Sequence, residues 1–413
     1  MTKVLISNKS LNKTSKKISK NLSTTSNYLG NELIEVKNSL VSSYKKNTFV
    51  WHISLLILLI ICYLILIKNK PILNLSDLLV NPIYLFKNKI EAMDMKRPFL
   101  NIYDDKGNKV NVVFITHPFT RDECIVQYNE GKKKGNHFLG MSSYCEFPAI
   151  VSNPHDVLHD PTIDAWAKYN YYELTEGWCH CFREPDKYIT DPIIKKALIS
   201  ESDFAPFEVH KPDPSVEKEY DFIYVCLKDN DKCEEGWQSY NRNWELAQKC
   251  LDIMCKKHKL KGLLIGRINC KVPDSCHQMM ELTDFLDYSK FIKMYNKSKF
   301  VFVPNNSDAS PRVLTEAMCF DLPILVNHNI VGGWKYVDDE SGMSFKDEKD
   351  LETKIDGFIE KVNKKQYQSR KHFVENYGYI NSGKKLLDFV VECIPSSELN
   401  FNPSNTKYLK PAI

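Results

Sequence analysis

The sequence predicts an α/β protein with two parallel-sheet domains facing a cleft, preceded by a single transmembrane helix. Three observations carry this. A chain of 413 residues is too long for one compact core. The stretch from Phe300 to Phe345 reads as strand, loop, helix and strand, the repeating unit of a parallel sheet. Phe49 to Ile67 is an uncharged run of nineteen residues. At ~1.5 Å per residue that run reaches about 28 Å, close to the ~30 Å hydrocarbon core of a bilayer.

The span is too long, and too far from the N-terminus, for a cleaved signal peptide. Residues 1–48 hold nine lysines against Glu32 and Glu35 and read as a mostly disordered tail. Leu29, Leu33, Val36 and Leu40 at helical spacing allow one short amphipathic helix within it. The lysine excess places this tail in the cytosol, although Lys68 and Lys70 reduce the contrast. The expectation is a single-pass, type II protein, with residues 68–97 as a stem. Asn74, Asn296 and Asn305 begin glycosylation sequons. Asn305 lies in the loop that carries the candidate site, so a glycan there would obstruct it.

The net charge of +4 provides no reason to expect a nucleic-acid partner. Only seven residues are arginine, in a chain where lysine is the default cation, so each arginine is informative. Thirteen cysteines show no paired metal spacing. Cys179-His180-Cys181 is the tightest group, but neighbours in a strand point to opposite faces, which favours buried or disulfide-bonded cysteines over a zinc site.

The first domain is expected over 98–210. Its elements are a strand at Val110–Ile115, a helix at Asp122–Glu130, a strand at His137–Met141, a helix at Ile163–Tyr172 and an apolar stretch at Ala197–Ile199. Lys211-Pro212-Asp213-Pro214 reads as a linker. The second domain, 211–395, has strands at Asp221–Val225, Gly262–Ile265, Phe300–Val303 and Ile324–Val326. Helices are expected at Asn243–Lys257, Asp287–Lys297, Leu351–Val362 and Phe373–Val391, with a turn-rich tail over 396–413. Between the last two strands, Ser310-Pro311 signals a helix start, serine as cap and proline in the first turn.

Loops at the carboxyl ends of parallel strands bind ligands in such sheets. The loop and helix after Phe300–Val303 carry Asp308 and Glu316. Arg242, Arg267 and Arg312 each follow a strand of the second domain and would converge on one edge if those strands are neighbours. Together with Ser310 and the backbone N–H groups of Arg312 and Val313 at the helix start, they suit a phosphate-bearing ligand. His117 follows a first-domain strand and could position an acceptor hydroxyl or a phosphate, or cap a turn. Arg121, Trp178, His180 and Arg183 are acceptor-side candidates, though tryptophan is also an ordinary core residue. Asp229-Asn230-Asp231 after a strand has the spacing of a divalent-metal motif, but Lys228 and Lys232 flank it as in a solvated loop.

Asp308, then Glu316-Ala317-Met318, Leu322-Pro323-Ile324-Leu325-Val326, Gly332-Gly333 and Ser341-Gly342, resemble in order and spacing the signature of GT-B retaining glycosyltransferases of the group 1, or family 4, type. The resemblance implies two Rossmann-like domains, a nucleotide-sugar donor as substrate, a glycan or glycoprotein acceptor, a retaining reaction and no essential metal or cofactor. It assigns Glu316 to the donor ribose hydroxyls and Asp308 to the transferred sugar, with the leaving phosphate receiving the acceptor proton. Asp308 stands one methylene short of the family's glutamate, Asp321 replaces a glycine, and Tyr336 replaces a further glutamate. Ile115–Phe119, Gly177–Arg183 and Asn241–Trp244 also resemble glycosyltransferases of giant, mimivirus-like viruses, which would put the chain in a host endomembrane or virion membrane. Three alternatives stand beside this reading. They are a degenerate transferase fold kept as a membrane or virion scaffold, a sugar-nucleotide epimerase, and a metal-dependent GT-A-like transferase using Asp229 and Asp231.

Overall fold

The computed structural model describes residues 92–149 and 167–412. The tail 1–48, the span 49–67, most of the stem and the first four residues of the helix expected at Ile163–Tyr172 lie outside the described residues; of the described remainder, 168–172 is turn and bend, not helix. Among the described residues no helix is long and apolar enough to cross a membrane.

The first sheet begins with β1 (Phe99–Asp104) and β2 (Lys109–Ile115), an antiparallel hairpin. Its turn is held by the Asp104 carboxylate, which accepts from the backbone N–H groups of Lys106 and Asn108 at 2.9 and 2.8 Å. Then come α1 (Asp122–Lys133), β3 (His137–Met141), β4 (Trp178–His180), α2 (Pro185–Tyr188) and β5 (Lys196–Leu198). Strands β2 to β5 are parallel and lie side by side in chain order. Central β2 is apolar on both faces because both are covered.

The second sheet holds β6 (Tyr220–Val225), β7 (Gly262–Ile265), β8 (Met280–Thr283), β9 (Ser298–Val303), β10 (Ile324–Asn327) and β11 (Gly342–Phe345). Its order is β11-β10-β9-β6-β7-β8, parallel throughout, which is the doubly wound Rossmann arrangement. The helices among these strands are α3 (Trp237–Asn241), α4 (Trp244–Lys256), α5 (Tyr288–Lys297) and α6 (Arg312–Cys319). The apolar face of α4 is buried: Trp244, Ala247, Cys250, Leu251 and Met254 pack under Tyr224 and Phe302, and Leu246 is half-buried beside them.

After α7 (Glu348–Asn363) the single helix expected at Phe373–Val391 is two, α8 (Ser369–Asn376) and α9 (Gly378–Cys393). The break is at Gly378, whose φ of +72° suits glycine. Helix α9 returns to the first domain, where Leu386, Phe389 and Val390 pack on Ile102, Phe114 and Leu139. The segment 396–413, expected as a tail, supplies β12 (Leu409–Pro411), the strand beside β1. Arg370 fastens the linker region to the second domain by donating to the carbonyls of Phe207 and His210, each at 2.7 Å, and of Cys319.

Cys233–Cys270 and Cys255–Cys276 are disulfides. Cys124, Cys179, Cys181, Cys226, Cys250 and Cys319 are free and buried, and Cys393 is free and partly buried.

Candidate functional site

In a doubly wound sheet the crevice opens where the strand order reverses, here between β6 and β9. The loops leaving the carboxyl ends of these two strands bring Arg242 and Asp308 together. The Arg242 guanidinium donates to Asp308 Oδ2, with side-chain exposures of 29% and 13%. Asn305 Nδ2 donates to the same carboxylate at 2.9 Å. Asn305 is only 2% exposed, so its sequon cannot carry a glycan in the folded chain.

The Gly332-Gly333 turn lies against this loop, Gly332 N donating to Asp308 O at 2.9 Å. A Cβ on Gly332 would sit 1.8 Å from Ala309 O, and Gly333 has a φ of +85°. Both positions therefore need glycine, one for close approach and one for backbone conformation.

Glu316 is in a separate cluster. It is buried on α6, with Tyr288 OH donating to Oε1 at 3.0 Å and Tyr295 OH to Oε2 at 3.3 Å. Burial raises its pKa, against the lowering effects of Tyr288, Arg312 and Tyr295. The two carboxylates that the spacing paired thus share no partner, and Glu316 faces α5.

Of the three arginines expected to converge, Arg242 alone pairs with the Asp308 carboxylate. Arg267 is fully buried: its guanidinium stacks 4.3 Å from the Trp244 ring and donates to Ser239 Oγ and Cys226 Sγ. Arg312 points to solvent one turn from Glu316. Val313 is half-buried, and its carbonyl accepts from Tyr295 OH at 3.2 Å.

Ser310 is not the helix cap expected of it. Pro311 takes the capping position without a side-chain bond. Ser310 Oγ instead accepts from Ser202 N at 2.9 Å and lies 2.5 Å from Ser202 Oγ, so a first-domain turn covers this helix start.

His117 sits at the carboxyl end of β2, stacked on Tyr144 at 5.2 Å. The Tyr144 ring is 6.2 Å from that of Trp237, which begins the helix leading to Arg242. Burial and nearby Arg97 lower the pKa of His117 to about 4. Thr116 Oγ1 donates to Pro98 O, so it accepts from His117 Nδ1–H at 2.8 Å and leaves Nε2 as the acceptor.

Trp178 is a core residue, fully buried and donating to Ser142 Oγ at 2.9 Å. His180 is buried and its Nδ1 has no partner. Burial and Lys335 lower its pKa to about 4. Arg121 is exposed beside α1. Arg183 reaches across to the second domain and His328.

Asp229 and Asp231 do not act together. Asp229 accepts from Gln238 N, Ser239 N and Ser239 Oγ at the start of α3. Asp231 is exposed and paired with Lys228 at 3.0 Å. The metal motif is a helix-start bracket, and the two-sheet fold departs from the GT-A alternative.

Sequence reasoning missed the cluster that joins the domains. Asp203, in the 3-10 turn Glu201–Phe204, accepts from Lys335 Nζ at 2.7 Å and Tyr336 OH at 2.5 Å. Trp334 Nε1 donates to Cys181 O at 2.8 Å beside it. The departure at Tyr336 could have flagged it, since a phenol replacing a carboxylate needs an acceptor when buried.

No family model matches the sequence, and no curated protein matches it. Among solved structures it is similar to TarM of S. aureus, at 13% identity and a TM-score of 0.43, over 62% of this chain and 50% of that one. It is similar to a sucrose-phosphate synthase from Thermosynechococcus elongatus at 10% identity and 0.45, over 62% and 67%. HepE of Anabaena, in complex with UDP, is similar at 10% identity and 0.46, over 65% and 76%. The chain thus spans half the length of the TarM chain. At these scores the likenesses carry no inference about chemistry.

Proposed function

We propose that this chain is a glycosyltransferase that moves a sugar from a nucleotide-sugar donor to a glycan or glycoprotein acceptor. The observation that carries the reading is the Arg242–Asp308 pair at the strand-order reversal, under a turn that admits only glycine. A diphosphate arriving there would compete with Asp308 for the guanidinium, releasing the carboxylate to accept from sugar hydroxyls. In the retaining course the bond from C1 to the diphosphate breaks and the acceptor oxygen bonds to C1 on the same face. The acceptor proton passes to the leaving phosphate oxygen, and Arg242 stabilises the charge that develops there. His117, neutral at pH 7, offers Nε2 to an acceptor hydroxyl. No metal enters this scheme.

The membrane-anchored, type II arrangement belongs to the same proposal. Two disulfides, with nearly every other described cysteine buried, support an oxidising compartment for this part of the chain. The giant-virus origin, with its virion or host endomembrane, rests on the sequence phrases alone. Two observations favour the scaffold reading instead: Glu316 is sealed by two tyrosines, and Ser310 is spent on a domain contact.

The test is release of nucleotide from a panel of nucleotide sugars by the full chain. Asp308→Ala and Arg242→Met are expected to lower turnover about 10²–10³-fold, the effect of losing one charge-stabilising group. Turnover that survives Asp308→Ala sinks the site, and no turnover on any donor favours the scaffold. Activity lost to a chelator and restored by manganese would bring back a metal-dependent reaction.

A further inference from the structure

A pocket of about 500 Å³ opens between the domains, lined by Arg183, Asn327, His328, Trp334, Val337 and Ser344. Arg183 follows β4 of the first sheet and His328 follows β10 of the second, so the pocket lies between the carboxyl ends of both sheets. It adjoins the Asp308 loop. Asn327 Nδ2 donates to Pro304 O and Asn305 O, and Trp334 directly follows the Gly332-Gly333 turn.

The charge of this pocket is unbalanced. Arg183 Nη1 donates to His328 Nε2 at 3.0 Å, and the guanidinium lies 5.2 Å over the Trp334 ring. Accepting that bond requires a neutral imidazole. Among the described residues no carboxylate pairs with Arg183, although the neighbouring Glu184 and Asp186 are close in sequence; Asp186 is taken by Lys196 at 2.6 Å. On the other wall Lys346 and Lys354 act on His328, opposed by Asp350, which pairs with Lys354 at 2.8 Å. A guanidinium has five donors in a fork that fits two oxygens of one anion, and here one donor goes to an uncharged ring. As a domain bridge alone, this contact is a weak use of an arginine.

We propose that the pocket binds an oxyanion carried on a saccharide, with Arg183 forking onto it and the Trp334 ring facing the sugar. The acceptor is then an acidic glycan, bearing either a uronic-acid carboxylate or a phosphate ester. This rests on the transferase reading in taking the cleft for a saccharide site.

The experiment is equilibrium binding of methyl glucuronide, glucose 6-phosphate and methyl glucoside to the full chain in detergent. At least one anionic ligand is expected to bind about tenfold or more tightly than the neutral glycoside, the weight of a charge-assisted hydrogen bond. Which of the two prevails identifies carboxylate or phosphate as the source. Arg183→Gln should remove that preference, and Arg183→Lys should keep part of it. Equal affinity for all three ligands, or a preference unchanged by Arg183→Gln, overturns the proposal. Should Arg183→Gln lose every ligand, Arg183→Lys decides: no anion preference there also overturns it. Glycoside binding needs no donor turnover, so an anion-selective protein that releases no nucleotide would favour the scaffold over the transferase reading and its acceptor, and leave the oxyanion-saccharide pocket standing.

Discussion

Removing the Asp203 carboxylate tests how the cleft is held. Its side chain is 3% exposed and that of Lys335 5%, so solvent screens the pair little. Taking away one partner of a buried ion pair costs about 3–5 kcal/mol. Asp203 also accepts from Ser200 N at 2.9 Å in a capping box, a contact worth about 1 kcal/mol. Asp203→Ala should therefore destabilise the protein by about 4–6 kcal/mol. At about 2 °C per kcal/mol for a chain of this size, the melting temperature falls by roughly 8–12 °C. Lys335→Met should cost less, about 3 kcal/mol, because Asp203 keeps its bonds from Tyr336 and Ser200. The double variant should lose about 2–3 kcal/mol less than the two single losses together, since no unpaired charge remains. Thermal unfolding of the four proteins measures this directly. Single variants within about 1 kcal/mol of wild type, or strictly additive losses, would refute the reasoning.

Two further outcomes follow from the same structure. Burial raises the Glu316 pKa, so between the unfolded value and the higher folded value the native chain holds more protons, and stability falls as pH rises through that window. Glu316→Gln should flatten this slope and raise the melting temperature at pH 7; if nucleotide release is also lost, the glutamate acts on the donor as well as on the fold, whereas a lower melting temperature at pH 7 contradicts the sign. Cys233–Cys270 spans a sequence separation of 37, and Cys233→Ser with Cys270→Ser should cost about 4 kcal/mol through loop-closure entropy, read as a shift in denaturant midpoint.

Where the chain writes an apolar run between turn residues, the sequence was legible. His137–Met141 and Gly262–Ile265 are strands at the expected bounds. Phe99–Asp104, Met280–Thr283, Gly342–Phe345 and Leu409–Pro411 were missed; Met280–Thr283 reads Met-Glu-Leu-Thr and Leu409–Pro411 contains lysine and proline, so only pairing with a neighbour makes these two strands. The Asp308 loop, its glycine turn and Arg242 could be located because spacing and strand ends are local properties. Arg267 shows the limit. Its place after a strand was readable, but Gly266, with φ of +101°, turns the chain, and the guanidinium goes under Trp244. Glu316 faces α5 because of where that helix packs, which no local spacing encodes. Asp203 and Lys335 are separated by 132 residues, and their partnership exists only in the folded chain.

The return of α9 and β12 to the first sheet makes the first lobe discontinuous in sequence, closed by the far end of the chain. A chimera that exchanges one lobe with a single splice point would carry the wrong closing helix and edge strand. Recombination between such chains needs two junctions, one near the linker at 211–214 and one near the α8–α9 break at Gly378. An expression clone of the second lobe alone should stop at that break.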